Sequence, residues 1–189
     1  MKIILATSNP HKLQEIKDIA KNIDFELEII GNNFAPNETG STFKENSYIK
    51  AYEAAKITGL PSLADDSGLC INALGGSPGI FSSRYAPTNK ERIEKVLMNL
   101  EGELDRSAFF ECNMTLVNPK GKVLFSSTGR IDGTITKKAI GKNGFGYDPI
   151  FFVPNLNKTM AQMSSAEKNI YSHRAKALIP MIEYISNNM

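Results

Sequence analysis

The sequence predicts an α/β protein, a mixed β-sheet with helices on its faces, and three observations carry that reading. Ile3–Ala6 is a short, continuous apolar run that stops at the polar residues Thr7, Ser8 and Asn9, the pattern of a buried central strand. Leu13, Ile16, Ile19, Ala20 and Ile23 then recur at helical spacing, and Phe25, Leu27 and Ile29 alternate as a second strand does. Much later, residues 107–117 and 122–131 are β-like and joined by Asn118-Pro119-Lys120-Gly121, an antiparallel hairpin. Strand, helix and strand at the start, with a hairpin further on, describe a mixed sheet rather than a sandwich or a bundle.

Each element has a local cause. Asn9 is placed to cap the first helix, with Pro10 at its first position. Residues 31–41 read as loop, with Gly31, Pro36 and Gly40. Thr42-Phe43-Lys44-Glu45 is a capping-box pattern opening a helix through about Lys56. Leu60–Ala64 is a short strand candidate, and residues 72–87, rich in Gly, Pro and Ser, form a long ordered loop or short turns. Thr88-Asn89-Lys90-Glu91 is a second capping box, and Ile93, Val96, Leu97 and Leu100 mark its helix. Asp132-Gly133 marks a turn before Thr134–Thr136. After the glycine-rich residues 141–148, Ile150–Val153 gives a last strand. A final helix covers 172–187, with Pro180 expected to kink it. No repeat or linker interrupts residues 1–189, so a single domain of two lobes is expected.

Composition narrows the function classes. The chain has 41% hydrophobic and 22% charged residues, ordinary globular usage that buries a core and excludes global disorder. A net charge of +2 argues against a dedicated nucleic-acid binder. The charge is unevenly spread: residues 1–66 hold 7 Lys/Arg against 10 Asp/Glu, and residues 130–176 hold 8 against 3. Cys70 and Cys112 form no CxxC or Cys/His cluster, so no zinc site is expected and a reducing compartment fits. The first apolar run is too short for a signal peptide, and no run reaches the ~18 residues of a membrane span. The expectation is a cytoplasmic protein with no membrane and no nucleic-acid partner.

Four segments hold residues suited to chemistry. Thr7-Ser8-Asn9-Pro10-His11-Lys12 lies between strand and helix, where backbone N–H groups and a lysine favour anions. Asp65-Asp66-Ser67 follows an apolar strand, and carboxylates there suit a hard cation such as Mg²⁺, with Glu38 and Glu45 as further ligands. Neighbouring strand residues face opposite sides, so only one of the two aspartates faces a given site. In Gly144-Phe145-Gly146-Tyr147-Asp148-Pro149 the glycines let a ligand approach, the two aromatics offer stacking surfaces and Asp148 accepts hydrogen bonds. Glu167-Lys168-Asn169 and Ser172-His173-Arg174 add cationic donors at a helix start. Taken singly, each segment is equally a capped helix, a solvated turn, a tight turn with core aromatics or a basic helix face. No GxSxG elbow supports a Ser/His/Asp triad.

Together, in order, these segments resemble the inosine triphosphate pyrophosphatase family. The resemblance also covers Glu38-Thr39-Gly40, Phe43–Ala51, Leu63–Leu69, Ala73–Gly79 and Arg84-Tyr85-Ala86. It implies an elongated mixed sheet with flanking helices and two lobes around a central active-site cleft. It implies hydrolysis of deaminated purine nucleoside triphosphates (ITP, dITP, XTP) to the monophosphate and pyrophosphate, which clears them from the nucleotide pool. Mg²⁺ dependence and a homodimer are implied as well. By position, Thr7–Lys12 match the triphosphate-binding segment, Glu38 and Asp66 the metal ligands, and Asp66 also the proton acceptor. Ser67 matches a substrate contact, Phe145, Gly146, Tyr147 and Asp148 the base-binding segment, and Lys168, His173 and Arg174 further substrate contacts. Asp65 and Lys50 match supporting positions. Gln162 stands where the family usually has glutamate. On this reading Arg174 and His173 donate to the C6 oxygen of hypoxanthine or xanthine, where adenine presents a donor instead. The rival readings are a pyrophosphatase of the related Maf type, against which Ser172-His173-Arg174 argues, and a nucleotide sensor without turnover, against which Asp66 and Glu38 argue.

Overall fold

The computed structural model describes every residue except Asn22, Asn32 and Asn33. The chain opens with β1 (Lys2–Leu5), α1 (Pro10–Ile19) and β2 (Glu26–Ile29). It continues with α2 (Phe43–Thr58), β3 (Ser62–Ile71), α3 (Asn89–Asn99), β4 (Ser107–Val117) and β5 (Val123–Ile135). β6 (Phe151–Val153), β7 (Lys158–Thr159), α4 (Ser165–Tyr171) and α5 (His173–Asn188) complete it. The strands bond in the order β2-β1-β3-β4-β5-β6-β7, a mixed sheet. β1 runs parallel to β2 and β3, whereas β6 is antiparallel to β5 and β7. The predicted α/β class and mixed sheet are what the molecule has.

The contacts divide the chain into two compact units. One comprises Met1–Asp66, Cys112–Gly129 and His173–Met189, and the other Ser67–Glu111 and Arg130–Ser172.

In the first unit, β1 is covered on both faces, which explains its unbroken apolar run. Ile3 and Leu5 pack with Ile16 of α1 and with Leu178, Met181 and Ile185 of α5. Ile4 and Ala6 pack on the other side with Ala51, Ala54 and Ala55 of α2. Alternation along one strand thus sorts two helix layers. Asn9 caps α1 and Pro10 opens it, as expected. Thr42 caps α2 through the Glu45 N–H, but the Glu45 carboxylate reaches Ser41 rather than completing the box. Pro180 lies inside α5, which continues to Asn188.

The second unit packs Leu69, Ile71, Val96, Leu100, Phe110, Ile131 and Phe151 around one core. Thr88 and Glu91 form the predicted capping box of α3. Three elements depart from the sequence expectation. β3 extends past Ala64 to Ile71, so Asp65 and Asp66 lie within a buried strand instead of at its end. β5 passes through Asp132-Gly133 without turning; a side chain at Gly133 would meet the Phe152 carbonyl at 2.4 Å, so this glycine serves close packing. α4, opened by a Ser164–Glu167 capping box, is a helix that apolar periodicity did not announce.

Gly129 of β5 is a second close-approach glycine. A Cβ there would lie 2.1 Å from the His173 carbonyl and 2.5 Å from the Ala177 nitrogen, both α5 backbone atoms that cannot rotate away. Gly129→Ala should therefore force α5 off the sheet. The expected cost is about 1–3 kcal/mol, read as a fall of several degrees in Tm. An unchanged Tm would show that α5 is not seated by this contact.

Candidate active site

The first unit assembles its charged residues on both faces of β3. Asp65 and Asp66 are 2% and 7% exposed, so each carboxylate must find cations or donors inside the protein. Alternation sends them to opposite helix layers. On the α1/α5 side, Asp65 Oδ2 is 2.9 Å from Lys12 Nζ and 3.4 Å from an Arg174 guanidinium nitrogen. The other Arg174 terminus donates to Glu15. The Cys112 thiol lies 3.9 Å from the same Asp65 oxygen. Burial pushes the Asp65 carboxyl up, but Lys12, Arg174 and Lys50 outweigh it and hold it well below the usual carboxylate range. Burial and the neighbouring Asp65 charge push the Cys112 thiol up to about 12, so it stays protonated.

On the α2 side, Lys50 Nζ bridges two carboxylates, 2.6 Å from Glu38 and 3.1 Å from Asp66 Oδ1. Asp66 shares this ammonium with Glu38. Its burial is only partly offset, and its carboxyl is raised despite Lys50 and Lys12. Asp66 Oδ2 is buried with no hydrogen-bond partner among the described residues. An acceptor-only oxygen left in this way is suited to a cation or a water proton.

At the start of α1, the loop has largely satisfied its own donors. The Asn9 side chain accepts from the N–H groups of His11 and Lys12 at 3.0 and 3.3 Å, and Thr7 Oγ1 accepts from Asn9 N at 3.3 Å. Pro10 has no N–H to offer. The sequence expectation that first-turn N–H groups grip an anion directly is revised accordingly. The exposed Ser8 and His11 and the Lys12 ammonium are what this segment presents.

In the second unit, Asp148 organises the glycine-rich loop. Its Oδ2 accepts from Phe145 N at 3.0 Å and from Lys168 Nζ at 2.9 Å, and both ion-pair side chains are buried. Lys168 Nζ also lies 5.2 Å from the centre of the Phe145 ring. Gly144 has φ +76°, and a Cβ there would meet Asp148 Oδ2 at 2.0 Å, so the loop closes only around glycine. The expected stacking role of Tyr147 is corrected. It is 4% exposed within the core, with its hydroxyl donating to the Ser82 carbonyl at 2.9 Å. Phe145 and Gly146 are partly buried, and Ser67 is partly buried on β3.

His173 and Arg174 open α5 and are 6% and 2% exposed. The expectation that Arg174 reaches a base oxygen meets a different geometry, because its guanidinium is committed to Asp65 and Glu15. Glu15 and Cys112 were not singled out from the sequence. Glu15 stands three residues after Lys12 on α1, a spacing that puts both on one face, but nothing local reveals a partner 159 residues away. Gln162 completes a capping box with Thr159, its Oε1 accepting from Thr159 N at 2.9 Å, a bond that needs only a side-chain oxygen.

This geometry belongs to a chain with many relatives. The Ham1 family model matches residues 3–184. A dITP/XTP pyrophosphatase of Coxiella burnetii is 47% identical over 94% of this chain and 93% of its own length. One from Synechocystis is 43% identical over 95% and 93%. Among solved structures, a HAM1 protein from Coxiella burnetii superposes with a TM-score of 0.91 at 45% identity, covering 99% of both chains. The Staphylococcus aureus Ham1 protein gives 0.89 at 38% identity, covering 100% of both. With nearly its whole length matched by the family model, by sequence relatives and by solved structures, the chain belongs to the Ham1 family.

Proposed function

We propose that this chain hydrolyses nucleoside triphosphates of deaminated purines, ITP, dITP and XTP, to the monophosphate and pyrophosphate, and so clears them from the nucleotide pool. The observation that carries the reading is the near full-length relation to dITP/XTP pyrophosphatases, two of them 43% and 47% identical. The arrangement around β3 supports it. From the Thr7–Lys12 segment, Lys12 supplies charge and the exposed Ser8 and His11 side chains supply donors for the triphosphate, and Ser67 follows Asp66 as a further contact. Asp66 Oδ2, buried and without a hydrogen-bond partner among the described residues, takes the proton of the attacking water.

Glu38 and Asp66 suit a divalent cation, and Mg²⁺ is the choice their oxygen chemistry favours. No group of three or more His, Cys, Asp or Glu among the described residues is placed to hold a metal. Two carboxylates leave the remaining coordination to phosphate and water, which is how Mg²⁺ is commonly held. When bound, such an ion would stabilise the charge that develops at the attacked phosphorus and on its leaving group. Lys50 balances the two carboxylates before the ion arrives.

Asp148, Lys168 and Phe145 are the groups for the base. Lys168 donates to the C6 oxygen of hypoxanthine or xanthine and faces adenine donor to donor, and Phe145 offers the stacking surface. Arg174 and His173 support the phosphate side through Asp65 and the start of α5. No helix among the described residues is long and apolar enough to cross a membrane. A cytoplasmic homodimer completes the proposal.

Two predictions follow from these assignments. ITP should yield IMP and pyrophosphate, with orthophosphate released only after inorganic pyrophosphatase is added. Asp66→Asn should remain folded and lose about 10²–10⁴-fold in turnover. IDP as the first product, or near-normal turnover in Asp66→Asn, would overturn the chemistry.

A further prediction separates base from phosphate. Lys168→Ala removes a charge-assisted hydrogen bond worth about 1.5–3 kcal/mol. kcat/KM for ITP should then fall by roughly 10–150-fold while ATP falls much less. Arg174→Ala should lower ITP and ATP hydrolysis together, because it acts through Asp65 and Lys12. A loss confined to ITP in Arg174→Ala would return base reading to Arg174.

A further inference from the structure

Asn46, on the first full turn of α2, is a polar side chain at 0% exposure. Its Oδ1 accepts the Gly40 N–H at 2.8 Å. That bond fixes which end of the amide is oxygen, and the Nδ2 group is then a buried donor with no hydrogen-bond partner among the described residues. Asn46 and Lys50 are four residues apart on the same helix, hence on one face. Lys50 holds Glu38, two residues before Gly40.

The loop itself is drawn tightly onto α2. The Ser41 N–H and hydroxyl both donate to Glu45 Oε2, at 2.6 and 2.7 Å. Gly40 lies so close that a Cβ would meet Glu45 Cβ at 2.6 Å, Asn46 Oδ1 at 2.8 Å and Asn46 N at 3.0 Å. The backbone at Gly40 is not in the left-handed region, so proximity to α2 is what demands glycine there. Ser41 is held by an exposed carboxylate, and Gly40, nearer to Glu38, by a fully buried amide.

From this we infer that Asn46 is a positioning residue for the metal site: its Oδ1 ties Gly40 down so that Glu38 is presented toward Asp66, and its Nδ2 donates to an oxygen that arrives with the metal-bound triphosphate. The inference rests on the reading of Glu38 and Asp66 as metal ligands. The buried donor is its second support. Leaving an amide N–H unsatisfied is costly, and a residue needed only to tie a loop has no use for one. An incoming phosphate oxygen or water supplies the missing acceptor.

The test uses the full-length protein and two readouts that do not depend on turnover. Amide hydrogen exchange by NMR should show Gly40 protected in the wild type and unprotected in Asn46→Ala, with the Ser41 and Glu45 amides unchanged. Mn²⁺ binding, followed by electron paramagnetic resonance, should weaken by roughly 10–100-fold in Asn46→Ala, the range expected when a group supporting a metal ligand is lost. Gly40→Ala leaves every proposed ligand in place and pushes the loop from the other side. It should weaken Mn²⁺ binding similarly, and the double variant should be little worse than either single one. Asn46→Asp restores an acceptor and should recover protection at Gly40. Adding Mg²⁺ with a non-hydrolysable ITP analogue should slow exchange of the wild-type Asn46 side-chain NH₂. Unchanged Mn²⁺ affinity in both Asn46→Ala and Gly40→Ala, or an NH₂ group indifferent to the nucleotide, would overturn the inference. Wild-type protein that bound no Mn²⁺ would overturn the metal reading itself, whatever Gly40 showed.

Discussion

Two adjacent carboxylates buried in one strand are the constraint around which the first unit is arranged. A strand interior offers no water, so Asp65 and Asp66 are tolerable only because β3 turns them to opposite sides and each side supplies cations. The two sides are not balanced alike. Asp65 has Lys12 and Arg174, and its lowered pKa means that it favours the folded state at neutral pH; that contribution disappears as pH falls through the lowered value. Asp66 shares one lysine with Glu38, and its carboxyl is raised. Its burial therefore costs stability once pH exceeds the ordinary carboxylate range. The side that favours folding offsets the side that opposes it, so a buried Asp66 is tolerated beside a stabilising Asp65.

The charge asymmetry along the sequence has the same origin, although its parts are used differently from what composition suggests. The acidic N-terminal residues do contain Glu38, Asp65 and Asp66, but they also contain Lys12 and Lys50, the cations that make those acids tolerable. The basic later region contributes Arg174 to the same network and Lys168 to a separate pair with Asp148. Each of these four cations already has a carboxylate partner in the protein. A bound polyanion would thus meet lysines whose direction has been set beforehand, which reduces the ordering cost of binding.

Much of this was legible in the sequence, for local reasons. The caps at Asn9 and Thr88, the helix of α2 and the hairpin turn at 118–121 follow from side chains a few residues apart, and the structure has them. The Asp65-Asp66 pair was visible as an anomaly, and its division between two faces follows from strand alternation alone. What was not legible depends on distant partners. Nothing near Asp65 announces that its strand continues to Ile71, because the cations that permit it come from α1, α2 and α5. Tyr147 looked like a stacking surface because its neighbours Phe145 and Gly146 form an open loop; only the packing of the second unit shows that its hydroxyl is spent on Ser82. For Arg174 the local sequence likewise hides its partners, Glu15 and Asp65, which lie 159 and 109 residues away.

The division of the chain among the two units has a consequence for synthesis. The segment Met1–Asp66, which carries Asp65 and Lys12, precedes both segments of the second unit, whereas Arg174 and the α5 side chains that close the core over β1 are made only after them. Until then Ile3, Leu5 and Leu63 lack the α5 side chains that cover them, and Asp65 lacks the Arg174 guanidinium. Co-translational folding of this half therefore waits for α5, while Ser67–Glu111 and Arg130–Ser172 are complete beforehand.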